Sequence, residues 1–157
     1  MEKNQGKPYR AEMPRLYRVR QRFDETALDD VAGALKTELD TSGVMDRVRP
    51  GMEVALAVGS RGIHGLMELV RALGERVRAR GATPFVVPAM GSHGGATARG
   101  QTEVLAGYGI TPEGVGMDVR SSMEVVLLGQ TASGVPVYLD AVARAAGLIV
   151  PVNRVKP

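Results

Sequence analysis

No cysteine occurs among the chain's 157 residues, so disulfides and thiolate metal centres are excluded. A reducing compartment is compatible with that absence, and a cytoplasmic location is the expectation. Aromatic residues are scarce at 4%, which argues against a nucleic-acid platform built on base stacking. The cations are scattered and the net charge is only +3, so no concentrated electrostatic footprint for nucleic acid stands out either. Histidine occurs twice, at His64 and His93, without the i,i+4 spacing of a helical zinc pair. No apolar run is long enough to span a bilayer, and the opening MEKNQGKPYRAEMPR is too polar for a secretory signal.

What is present has the composition of one globular domain, 44% apolar and 24% charged. Residues 1–14, with Pro8 and Pro14 and no periodicity, read as a flexible tail. Leu16, Arg18 and Arg20 alternate with Tyr17, Val19 and Gln21, which predicts an edge strand with one wet face. Leu28, Val31, Leu35 and Leu39 then recur at helical spacing, with Asp24 or Thr26 as cap and Gly43 as stop. Val54–Val58 is a continuous apolar run, as expected of a strand covered on both faces. Ile63, Leu66, Val70, Leu73 and Val77 share a helical face, placing His64 in that helix's first turn, and Gly81 ends it.

The next stretch, PFVVPAMGSHGGATARGQTEVL from Pro84, is the one around which the chain is organised. A short apolar strand breaks at Gly91-Ser92-His93-Gly94-Gly95, and helical spacing resumes with Gln101, Val104, Leu105 and Tyr108. Thr111-Pro112-Glu113 starts a short turn or helix. Residues 124–128 and 135–139 predict a hairpin joined through Gly129 to Gly134. A helix at 140–146 and a buried strand at 148–152 follow. Alternating strands and helices predict an α/β domain, Rossmann-like and three-layered, with a mainly parallel sheet. Right-handed crossovers put the Gly59 and Gly91 turns at one sheet edge, where ligands of such folds bind, and the final NRVKP leaves the last strand there too.

Common motifs fail at this edge. The dinucleotide fingerprint and the P-loop are absent, and Val58 spoils a nucleophile elbow around Ser60. Ser92 and His93 are adjacent and lack an orienting carboxylate, so they form no triad. Taken singly, GSHGG is an ordinary tight turn, Arg61 a solvated charge and Arg154 with Lys156 a basic terminus. Their convergence at one edge makes them candidates.

VGSRGI (Val58–Ile63), PAMGSHGGAT (Pro88–Thr97), ITPE (Ile110–Glu113), RSSMEVV (Arg120–Val126) and NRVKP (Asn153–Pro157) together resemble the N-terminal domain of the lactate racemase-like family. The resemblance covers residues 15–157. It implies a domain facing a second, C-terminal domain of the same protein across a cleft that holds a nickel-pincer nucleotide. It further implies inversion of a small 2-hydroxy acid, with hydride moving to and from the pincer while two histidines exchange the hydroxyl proton.

Carried onto this sequence, His93 resembles the first of those histidines and Arg61 the arginine that binds the substrate carboxylate. Ser60, Gly91, Ser92, Gly94, Gly95 and Lys156 are the residues expected to hold substrate or nucleotide phosphate. Val58 departs from the family, which has aspartate three residues before the arginine. By that resemblance the second histidine, the pincer-anchoring lysine and the nickel-binding histidine fall beyond Pro157, so the chain is expected to be a fragment, inactive alone and without bound cofactor. The alternative expectation is a non-catalytic anion- or nucleotide-binding module.

Overall fold

The structure is a computed structural model that describes residues 15–23 and 27–155. The expected tail at 1–14, the caps Asp24 and Thr26, and Lys156 lie outside the described residues. Three strands form a parallel sheet: β1 (Glu53–Val58) in the centre, β2 (Thr83–Pro88) on one side and β5 (Leu148–Val152) on the other. All three expected strands are therefore parallel neighbours, in register from Val54 opposite Pro84 and Leu148 to Val58 opposite Pro88 and Val152. The antiparallel pair β3 (Val125–Gln130) and β4 (Pro136–Asp140) forms a separate two-stranded hairpin.

Alternation along the strands divides the core in two. Val54, Leu56 and Val58 face a large cluster completed by α2 (Leu66–Ala79), α3 (Ala98–Ala106) and α4 (Pro112–Val115), through Val70, Val77, Leu105 and Val115. Leu35 and Leu39 of α1 (Val31–Thr41) pack against the same cluster. On the opposite face Ala55, Phe85 and Val87 meet Ala143 of α5 (Ala141–Ala145). Helices thus cover both faces of the sheet. Burying a side chain the size of Phe85 or Leu56 stabilises the fold by roughly 1.5–3 kcal/mol, and both are fully buried.

Local chemistry explains where the elements begin. α1 starts later than the apolar spacing suggests because Asp30 supplies the cap, its Oδ1 accepting from the Gly33 N–H at 2.8 Å. α2 begins at Leu66, after Gly65 at φ 69°, so His64 precedes the helix instead of lying in its first turn. Thr97 and Thr111 cap α3 and α4 in the same manner as Asp30 caps α1.

The expected edge strand at 16–21 does not form. Residues 15–23 are irregular, and Leu16 and Val19 are 95% and 82% exposed. Alternation makes a strand only where another edge supplies hydrogen bonds, and no strand among the described residues pairs with this segment. The hairpin is also longer than predicted: Gly129 and Gln130 belong to β3, with a register shift between Leu127 and Gly129.

Arg120 closes the outer edge of β2. Its backbone N–H donates to the Val86 carbonyl at 2.9 Å, and Val86 donates to the Asp118 carbonyl at 2.8 Å. Its guanidinium lies 4.1 Å from the Phe85 ring centroid and pairs with Glu53 at 2.9 Å. The hydrogen bond to Glu53 holds the guanidinium above its ordinary pKa, against the opposing effect of burial. No described helix is long and apolar enough to cross a membrane.

Candidate functional site

A parallel sheet delivers the carboxyl ends of its strands to one edge, and three segments leave that edge side by side. Gly59-Ser60-Arg61 follows β1, Ala89-Met90 leads from β2 toward His93, and Asn153-Arg154 follows β5. These residues line one cleft of about 300 Å³. The register brings them together, since Gly59 donates to the Val152 carbonyl at 3.1 Å and Ala89 to the Val58 carbonyl at 2.8 Å. At Gly59 a β-carbon would overlap the Asn153 side-chain oxygen, so a larger residue there would push the Asn153 side chain aside.

Ser60, Arg61 and His93 therefore share a cleft, as the convergence of the turns predicts. Gly91, Ser92, Gly94 and Gly95 form the adjoining turn and are not among the residues that line the cleft. His93 precedes a single 3₁₀ turn, Gly94–Ala96, and α3 starts only at Ala98. The helix N-terminus thus lies five residues beyond His93. One of its N–H groups, that of Gly100, is occupied by the Thr97 hydroxyl at 3.0 Å. His93 therefore sits apart from the N-terminus of α3.

Two side chains that the sequence reading did not single out for the site hold the turns. Gln101, 6% exposed, donates from Nε2 to the Gly91 carbonyl at 2.7 Å. Tyr108 donates its hydroxyl to the Ser60 carbonyl at 2.8 Å, with its ring against Gly62. Both come from α3 or the residues just after it, far along the chain from Ser60. The one available signal was a glutamine standing among the apolar positions of α3.

No protein family, curated protein or solved structure matches this chain. The chemistry of the cleft must be read from its own residues. Among the described residues its cations are Arg61 and Arg154, joined by the imidazole of His93, the Ser60 hydroxyl and the Asn153 amide, and none of these lining residues is a carboxylate. Such a set suits an anion, because a guanidinium fork matches a carboxylate or phosphate. Among the described residues no group of three or more histidine, aspartate or glutamate side chains could hold a metal ion.

Proposed function

We propose that this chain is the N-terminal, Rossmann-like α/β domain of a lactate racemase-like isomerase, a cytoplasmic enzyme acting on a small 2-hydroxy acid. The observation that supports it most directly is that Arg61 and His93 line the same cleft with Ser60, Asn153 and Arg154. Arg61 binds the substrate carboxylate through its fork and so fixes which face of the adjacent carbon is presented. His93 accepts the hydroxyl proton through an imidazole nitrogen as that carbon becomes a carbonyl carbon, and returns the proton when the bond to hydrogen re-forms.

The cleft suits the anionic parts of a nickel-pincer nucleotide. Ser60 and Arg154 offer donors to its phosphate, and Lys156 is the further candidate for that role. A bound pincer nucleotide supplies the hydride acceptor, and the described residues offer no ligand set for its nickel. The proposal accordingly assigns the metal and the second proton-transfer residue to a C-terminal domain of the same protein.

The test uses an intact two-domain protein carrying this domain. His93→Ala removes an exposed side chain in a turn, so folding and metal content should be nearly unchanged while turnover falls by about 10²–10⁴. Arg61→Lys keeps the charge and loses the fork, so it should raise KM and spare the cofactor. Parental turnover in His93→Ala would overturn the assignment. A second reading, an anion-binding module without catalysis, is favoured by the two guanidinium groups, Arg61 and Arg154, that line the cleft. In that case millimolar phosphate would shift the Ser92–Ala96 amides in NMR spectra, and no hydroxy acid would be turned over.

A further inference from the structure

The hairpin of β3 and β4 stands apart from the rest of the fold. No third strand among the described residues pairs with it, and none of its residues belongs to either core cluster. Residues opposite one another in an antiparallel pair share a face, so Val125, Leu127 and Tyr138 lie together on one side. They are 58%, 57% and 57% exposed, and Leu128, at the register shift, is 52% exposed. Val126 and Leu139 occupy the other side and are half-buried. A two-stranded sheet with a bare apolar face is marginal in water and is stabilised by further cover.

The surface is also neutral. Residues 125–139 include no charged side chain, and the nearest charges along the chain, Glu124 and Asp140, sit together at the base of the hairpin. Asp140 is already engaged, its Oδ1 accepting from the Ala143 N–H at 2.8 Å. With Met123 at the base and Val135 at the tip, six apolar side chains each expose about half of their surface. Covered, they amount to on the order of 500 Å² per copy and 1,000 Å² for a pair, the least that a specific interface needs.

We propose that the outward face of this hairpin packs on the same face of a second copy, making a weak two-fold dimer. A surface that meets itself across a two-fold axis brings its charges toward their own copies, so a patch without charge is the kind that can do so. The two hairpins stack with their strands antiparallel. That order lays each base, with Glu124 and Asp140, over the other copy's uncharged tip at residues 131–133, whereas parallel stacking would gather four carboxylates. Leu127 and Tyr138 are directly opposite one another near the middle of the hairpin, so they fall beside the axis and carry most of the contact. An interface at the small end of the specific range gives a dimer that dissociates on dilution. The dimer is independent of what the cleft binds.

Light scattering on the full chain over a concentration series tests it, and the unaltered chain should pass from monomer to dimer. Leu127→Lys sets two ammonium groups beside the axis and should weaken association on the order of 100-fold or more. The side chain lies outside both core clusters, so the fold should survive, which circular dichroism checks. Leu127→Glu should act alike, and mixing the two variants should restore a mixed dimer. The chain has no cysteine of its own, so Leu127→Cys introduces a single thiol. Under mild oxidation it should link two chains quickly, and Ser133→Cys at the tip should do so slowly. A chain that stays monomeric at every concentration would overturn the proposal and leave the face to an unlike partner. So would a dimer indifferent to Leu127→Lys, or equal cross-linking at the two thiol positions.

Discussion

The two glycine-bearing turns of the cleft are built alike and held differently. Gly59-Ser60-Arg61 leaves the central strand, which has neighbours on both sides, and its outer end is pinned by Tyr108, 38% exposed. Gly91–Gly95 leaves a strand with one neighbour within its sheet, and is pinned from inside by the buried amide of Gln101. A turn after a central strand inherits its position from the ladder and needs only trimming by an exposed hydroxyl. A turn after an outer strand has to be tied to the core. Placement of His93 should accordingly depend on buried packing, and placement of Ser60 and Arg61 much less so.

The harshest way to break the second turn is Gly94→Ala. Gly94 has φ 66°, and a β-carbon there would run into the backbone of Gly100 and Gln101, which has nowhere to yield. A loss of at least about 2 kcal/mol is expected in thermal or denaturant unfolding, with His93 displaced from the cleft. Next comes Gln101→Leu, which keeps the volume and strands the Gly91 carbonyl. It should cost about 1–3 kcal/mol and broaden the Ser92–Ala96 amide signals. Tyr108→Phe keeps the ring on Gly62 and removes only the bond to the Ser60 carbonyl. About 1 kcal/mol or less is expected, with the Gly91 turn untouched; an equal disturbance of both turns would erase the contrast between them.

The smallest effect sits outside both turns and serves as a control. Glu113, in the first turn of α4, has its carboxyl held below the ordinary carboxylate pKa by its own backbone N–H and then by the Thr111 hydroxyl. A depressed pKa stabilises the fold fully above the unfolded value near 4.3, and the contribution is lost as pH falls through the lower folded value. Glu113→Gln should therefore lower stability slightly at neutral pH and leave it unchanged well below the folded pKa, so that the acid limb of the stability curve flattens. The Gly91 turn should not respond.

Much of this molecule was legible in the chain itself. Val54–Val58, Phe85–Val87 and Leu148–Val152 are apolar without interruption, a pattern that a strand tolerates only when both faces are covered. Glycine after β1 and after β2 marks where the chain must turn, so Ser60, Arg61 and His93 could be brought to one edge by topology alone. Helix starts were less legible, because a cap such as Asp30 is chosen by a single local hydrogen bond that apolar spacing does not report.

Local sequence determined the strands, the turns and the candidate residues, since these follow from side-chain period and backbone freedom within a few neighbours. Only the tertiary structure decided the rest. Alternation at 16–21 was read as a strand, but a strand needs a partner edge, and pairing is a property of the whole arrangement. Gln101 and Tyr108 hold the two turns from elsewhere in the chain, through contacts that no spacing rule contains. A groove beside α1 likewise exists only once two helices pack. Hydrogen bonds and burial between distant residues depend on where the chain brings them, and that is set by the packed core as a whole.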